Sequence, residues 1–107
     1  MKKNMLLIIP TMGPGGAERV VSRLSVIFND IYNVYIVLFD GSIQKYECQG
    51  QIISLDLPAK SGFFNKILRV IQRTVKLKGL KKKYNVDIAV SFLETANIVN
   101  LLSKNKE

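Results

Sequence analysis

An apolar run from Met5 to Ile9 stops at a loop holding three glycines and two prolines, and a helical pattern starts at once beyond it. Val20, Val21, Leu24 and Phe28 recur there at the spacing of one helix face. A buried strand, a tight glycine turn and a helix in direct succession are the opening unit of an α/β fold. The first backbone N–H groups of such a helix have no partner within it. They point, with the positive end of the helix dipole, at whatever lies above the carboxyl end of the strand. Phosphate suits that position, and glycines at 15 and 16 remove the Cβ atoms that would hold a ligand off the backbone. The loop is not of the Walker type, since no Gly-Lys-Ser/Thr follows. In a dinucleotide fingerprint counted from Gly13 and Gly15, the third glycine position falls on Glu18. A plain strand-to-helix turn with no ligand meets the same spacing.

The alternation continues along the chain. The pattern predicts a helix over 16–29, a strand over 33–39, and a short edge strand or hairpin arm over 42–47 after the Asp40-Gly41 turn. A further strand is expected over 51–57, ended by Pro58. A long amphipathic helix over roughly 62–84 follows, with Gly79 as a weak point or early stop. A strand over 87–92 and a helix over 95–103 complete the order. Strands alternating with helices favour a Rossmann-like parallel sheet with flanking helices, joined by right-handed crossovers. Ligands of such sheets sit at the carboxyl ends of the strands, where the loops 11–16 and 92–95 both open.

At 107 residues there is room for one small domain. A single cysteine, Cys48, excludes an internal disulfide framework and fits a reducing cytoplasm. With no histidine in the chain, neither a histidine metal site nor a histidine base can form within it. Lys2 and Lys3 ahead of the first apolar run imitate a secretory signal. The run, however, is shorter than the apolar core a signal needs, and nothing approaches the ~20 residues of a membrane span.

The string IIPTMGPGGAERVVSRL resembles the opening of family 4 glycosyltransferases of GT-B architecture, with its P-x-x-x-x-GGAE loop between strand and helix. The segment VDIAVSFLETAN, residues 86–97, is similar to a second strand and helix start of that family. The likeness spans nearly the whole chain but only the front of the family. It implies an incomplete half of the amino-terminal, acceptor-side Rossmann-like domain, with the donor domain absent. The activity implied for the intact enzyme is transfer of a sugar from a nucleotide-diphosphate donor to a glycan or lipid-linked acceptor, with no cofactor. Carried over residue by residue, the resemblance places Gly15, Gly16 and Glu18 at the donor phosphates, Glu18 serving there or simply capping the helix. Thr11, Ser91, Glu94 and Asn97 become candidates for the acceptor side. The family's E-x7-E motif is missing: eight residues beyond Glu18, Glu47 and Glu94 stand Val26, Leu55 and Leu102. The chain alone is therefore expected not to transfer sugar. Two readings from other classes stay open: a non-catalytic membrane- or polyanion-binding α/β module, and half of a nicotinamide-dependent oxidoreductase, the latter disfavoured by the missing third glycine.

The net charge of +8 is local. Between Leu57 and Val86 lie nine bases and no acid. Phe64, Ile67, Leu68, Ile71 and Val75 recur at helical spacing and are expected to face the sheet. Lys66, Arg69, Arg73, Lys76, Lys81, Lys82 and Lys83 would then flank or oppose that stripe. Such a basic face is either solvated surface or a site for docking on an anionic membrane. Nucleic acid is a weaker partner, since no recognition motif accompanies the bases. These observations predict a cytoplasmic protein, peripheral at the inner face of the membrane. The last strand is expected to lack an outer neighbour, leaving an apolar edge open to self-association.

Overall fold

The structure, a computed structural model, describes residues 2–107. Four strands form one parallel sheet: β1 (Asn4–Ile9), β2 (Asn33–Leu38), β3 (Gln51–Ser54) and β4 (Ile88–Ser91), in the order β3-β2-β1-β4. Three helices flank it: α1 (Gly16–Phe28), α2 (Phe63–Lys83) and α3 (Glu94–Leu102). The α/β, Rossmann-like arrangement is thus as the alternation implies. β1 is central because its apolar run serves both faces. Met5, Leu7 and Ile9 pack beside Val21, Ile36 and Leu38 on the α1 side. Leu6 and Ile8 pack with Val37, Phe39, Leu77 and Val99 on the side of α2 and α3. The register sets Leu6 against Tyr35 on one flank and Ala89 on the other.

Three local expectations change. Residues 42–47 form no strand; Gln44 makes one isolated parallel bridge to Met12, and the Lys45 N–H donates to the Met12 carbonyl at 2.7 Å. The turn is drawn across the top of the sheet because Asp40 accepts the Ser42 N–H at 3.0 Å and Ser54 Oγ accepts that of Gly41 at 2.9 Å. β3 stops at Ser54, since Asp56 takes a left-handed conformation (φ 56°) beside the Ser54 hydroxyl. α2 runs unbroken through Gly79, where an added Cβ would meet open space, so the only local cost is the low helix propensity of glycine.

The largest correction concerns the rotation of α2. The stripe predicted to face the sheet faces outward: Phe64 is 83% exposed and Val75 67%, with Ile67, Leu68 and Ile71 also exposed. Arg69, Arg73, Leu77 and Lys81 are the buried row instead. The irregular chain after β3 explains the reversal, because its carbonyls have no strand to pair with and need donors. Arg73 Nε and Nη2 both donate to the Leu57 carbonyl, at 3.0 and 2.8 Å, while its guanidinium lies 4.3 Å from the Phe39 ring centre. Lys76 Nζ donates to the Leu55 carbonyl at 2.9 Å. Lys81, fully buried, donates to the Asn100 carbonyl and Oδ1 and to Glu107 Oε2, at 3.0, 2.7 and 2.7 Å. An apolar side chain can meet none of these demands.

Lys81→Ala is expected to destabilise the chain by about 2–3 kcal/mol in urea unfolding, since it strips three acceptors of a charged donor. Lys82→Ala, on the exposed side, should stay within about 0.5 kcal/mol. The acid limb has a defined direction. The Asn4 N–H holds the Asp87 carboxyl below its ordinary range, with Lys106 assisting. Burial raises that of Glu107, but hydrogen bonds from Lys81 and the Asn105 N–H outweigh it and leave it lowered. Both groups bind protons less readily folded than unfolded, so their contribution is complete at neutral pH. It should be lost as pH falls below about 4, and urea midpoints from pH 7 to 3 check this.

Candidate functional site

The chain order reverses between β1 and β4, because β1 leads to β2 on one side while β4 arrives by crossover on the other. A crevice opens at such a point beyond the carboxyl ends of the strands. Ile8 pairs with Ser91, and the Phe92 N–H donates to the Ile8 carbonyl at 2.9 Å, so the loops after β1 and β4 emerge side by side.

On the β1 side, Gly15 is extended (φ −78°, ψ 175°) and exposed, and no side chain caps the start of α1. Glu18 folds back instead and accepts the Gly15 N–H through Oε2 at 3.3 Å. Its carboxylate lies over the loop: a Cβ at Gly15 would come within 2.9 Å of Oε1, and one at Gly13 within 3.4 Å of Oε2. The carboxylate thus occupies the space directly over the loop glycines. Gly16 has open space above it. Thr11 is half-buried, its Oγ1 3.7 Å from the position of a Gly13 Cβ.

On the β4 side, Ser91 Oγ is 2.6 Å from Asn97 Oδ1 and accepts from Asn100 Nδ2 at 3.2 Å. Asn100 continues to Lys81 and Glu107, so this polar network runs from the sheet end into the core. Glu94 is exposed in the first turn of α3. Leu93, the residue before it, has φ 76° and ψ 154°, a conformation that is essentially glycine's own. Sequence reasoning missed Leu93, since nothing about a leucine signals that geometry. It also missed Asn100, although Asn97 and Asn100 stand one helical turn apart. Of the bases assigned to a membrane surface, Lys66, Lys76, Lys82 and Lys83 are exposed, whereas Arg69, Arg73 and Lys81 are buried. Buried bases cannot meet a lipid bilayer face on; the row opposite them on α2 is apolar at Phe64, Leu68, Ile71 and Val75 and continues to Lys78 and Lys82, with Lys66, Lys76 and Lys83 exposed beside it.

No family model matches the chain. Two curated proteins of Campylobacter jejuni subsp. jejuni do. The first, N-acetylgalactosamine-N,N'-diacetylbacillosaminyl-diphospho-undecaprenol 4-alpha-N-acetylgalactosaminyltransferase, is 28% identical over 100 residues, covering 92% of this chain. The second, GalNAc-alpha-(1->4)-GalNAc-alpha-(1->3)-diNAcBac-PP-undecaprenol alpha-1,4-N-acetyl-D-galactosaminyltransferase, is 29% identical over 99 residues, covering 91%. The chain is related to glycosyltransferases. It spans only about a quarter of the length of these relatives, 27% and 28% respectively. Among the described residues no helix is long and apolar enough to cross a membrane, and no cluster of acidic or cysteine side chains is arranged to hold a metal ion.

The closed Glu18–Gly15 contact is directly testable. Glu18→Ala should cost about 1 kcal/mol of stability by removing the return bond and the acidic charge from the first turn. Gly16→Ala, with free space and ordinary backbone, should be neutral or stabilising by up to about 1 kcal/mol in the same thermal melts.

Proposed function

We propose that the chain forms the acceptor-side part of a GT-B glycosyltransferase of family 4, acting at the cytoplasmic face of a membrane on a polyprenyl-diphosphate-linked glycan. The observation that carries this reading is the likeness, across nine-tenths of the chain, to two transferases whose named acceptors are undecaprenol-diphosphate glycans. The loops after β1 and β4, which carry the glycines and precede Asn97, emerge side by side at one end of the sheet, which supports a site where donor and acceptor meet. In the intact enzyme the anomeric C–O bond of a nucleotide-diphosphate sugar breaks, an acceptor hydroxyl oxygen takes the sugar, and the nucleoside diphosphate leaves with the bonding electrons and takes up the hydroxyl proton. Backbone N–H groups at Gly15 and Gly16 would stabilise the developing charge once Glu18 swings aside, an electrostatic role. Thr11, Ser91, Glu94 and Asn97 would hydrogen-bond acceptor hydroxyls. The exposed stripe of α2, Phe64 to Val75, with Lys78 and Lys82 beyond it, suits an anionic bilayer, where each base near the surface contributes about 1 kcal/mol.

Neutral phosphatidylcholine vesicles doped with a polyprenyl-diphosphate-linked GalNAc glycan test the acceptor assignment. In co-sedimentation the chain should bind them in preference to undoped vesicles, and added phosphatidylglycerol should strengthen binding at low salt. Equal binding to doped and undoped vesicles would overturn the acceptor reading in favour of a general membrane-binding module.

A further inference from the structure

Lys81 is fully buried, and its ammonium group commits all three N–H donors inside the protein: to the Asn100 carbonyl, to Asn100 Oδ1 and to Glu107 Oε2. A lysine ammonium only donates, so whatever atom faces it must accept. That requirement gives direction to the hydrogen bonds beyond it. Asn100 must turn Oδ1 to Lys81, which leaves its Nδ2 to donate to Ser91 Oγ at 3.2 Å. Ser91, having accepted there, gives its own proton to Asn97 Oδ1 at 2.6 Å, a separation that suits O–H···O rather than N–H···O. Asn97 therefore ends the chain with Nδ2 turned away from Ser91, and that group has no partner among the described residues. Asn97 and Asn100 reach the same serine because they stand one turn apart on α3.

Both asparagines also line a groove of about 350 Å³ between β4 and α3, with Ala89, Leu101, Lys104 and Glu107. Asn97 belongs to the part of α3 nearest the carboxyl end of β4. The hydrogen-bonding groups of this groove are unequally committed. Its side-chain oxygens are engaged: Asn97 Oδ1 by Ser91, Asn100 Oδ1 by Lys81, and the two Glu107 oxygens by Lys81 and the Asn105 N–H. The free groups are donors, Asn97 Nδ2 and the Lys104 ammonium, neither of which has a partner among the described residues. Ala89 and Leu101, the latter 76% exposed, supply apolar surface. A hydroxyl bound there brings a proton to oxygens already engaged. A carbonyl oxygen brings lone pairs alone, and a methyl group beside it covers apolar surface. An acetamido group carries both.

We infer that this groove binds the acetamido group of an acceptor sugar, Asn97 Nδ2 donating to its carbonyl oxygen and Ala89 and Leu101 covering its methyl, and that Lys81 is the positioning residue that aims the Asn97 amide. The assignment rests on the acceptor reading above and narrows the part of Asn97 from hydroxyls in general to one carbonyl. Lys81 touches no ligand and acts through Asn100 and Ser91. The hydrogen bonds of the chain all point the same way and begin at a charge. Each polarises the next, so the outer N–H is a better donor than that of an isolated amide.

Proton–nitrogen correlation NMR of the 107-residue chain, titrated with methyl α-N-acetylgalactosaminide and with methyl α-galactoside, tests the assignment. The acetamido sugar should shift the Asn97 side-chain amide and bind at least about fivefold more tightly than the galactoside. Asn97→Asp keeps an acceptor for the Ser91 hydroxyl and loses the donor. It should weaken the acetamido sugar about tenfold and leave the melting temperature level. Asn100→Asp tests the positioning role, because its carboxylate still accepts from Lys81 but also presents an acceptor to Ser91. The Ser91 proton then reverses, Asn97 Nδ2 turns inward to donate to Ser91 Oγ, and Oδ1 faces the groove. Binding of the acetamido sugar should fall about tenfold, and the Asn97 amide protons should exchange more slowly, although Asn97 itself is unchanged. A merely structural network would move the melting temperature and leave the preference for the acetamido sugar intact. Equal binding of the two sugars, or wild-type binding by Asn100→Asp, overturns the assignment. If glycan-doped vesicles are preferred while the two sugars bind alike, the placement fails and the acceptor reading survives. If the acetamido sugar binds through Asn97 while doped vesicles are not preferred, the site stands and the acceptor reading falls.

Discussion

The double hydrogen bond from Arg73 to the Leu57 carbonyl sets the rotation of α2, and much of the molecule's surface chemistry follows from it. β3 ends early, at the left-handed Asp56, and the chain beyond it enters the core with carbonyls that no strand satisfies. Bases on α2 answer that need, and each draws its own face of the helix inward. Long side chains make this tolerable, since the stems of Arg73 and Lys81 cover apolar surface while their heads reach polar atoms. The aliphatic residues are then turned outward by geometry rather than by preference.

Two kinds of surface result from the one rotation. The outward side of α2 changes along its axis from apolar to basic, which is a different object from the charged flank with an apolar underside that the residue pattern suggests. The inward side brings Arg69 one turn ahead of Arg73 into a position where backbone supplies it with no acceptor. The polar chain from Ser91 through Asn100 to Lys81 and Glu107 anchors the opposite end of the same helix. α2 is thereby fixed at its far end by internal bonds and is electrostatically incomplete near its start, where the sheet presents its loops.

The fold was legible because its signals were redundant. Met5–Ile9 could only be a strand covered on both faces, and the glycine loop, the apolar run 33–39 and the alternation 51–57 each fixed a neighbour, the last of them only as far as Ser54. The segment 42–47 was not legible. Its path depends on hydrogen bonds to Met12, Ser54 and Asp40 that exist only after the sheet has formed. The face of α2 was misread for a related reason. Periodicity reports that a helix has two faces, and hydrophobicity normally says which is inner. Here the unpaired carbonyls of Leu55 and Leu57 made the opposite choice, and no count of residues within α2 contains them. For the site, the Gly15–Glu18 spacing was readable as loop and helix start, but the carboxylate's position over the glycines was not.

Leu93 carries a mechanical consequence. A leucine at φ 76° and ψ 154° holds its backbone at a cost of about 1–3 kcal/mol, and the surrounding turn must supply that continuously. The join between β4 and α3 is therefore preloaded. Any rearrangement that lets residue 93 return to an ordinary dihedral releases the stored energy and offsets part of its own cost. Where such a rearrangement shifts α3 relative to the sheet, it costs less than the packing of Ala96 and Val99 alone implies. Thr95 would travel with it, making the shape of the crevice and the tension in a single peptide two readouts of one coordinate.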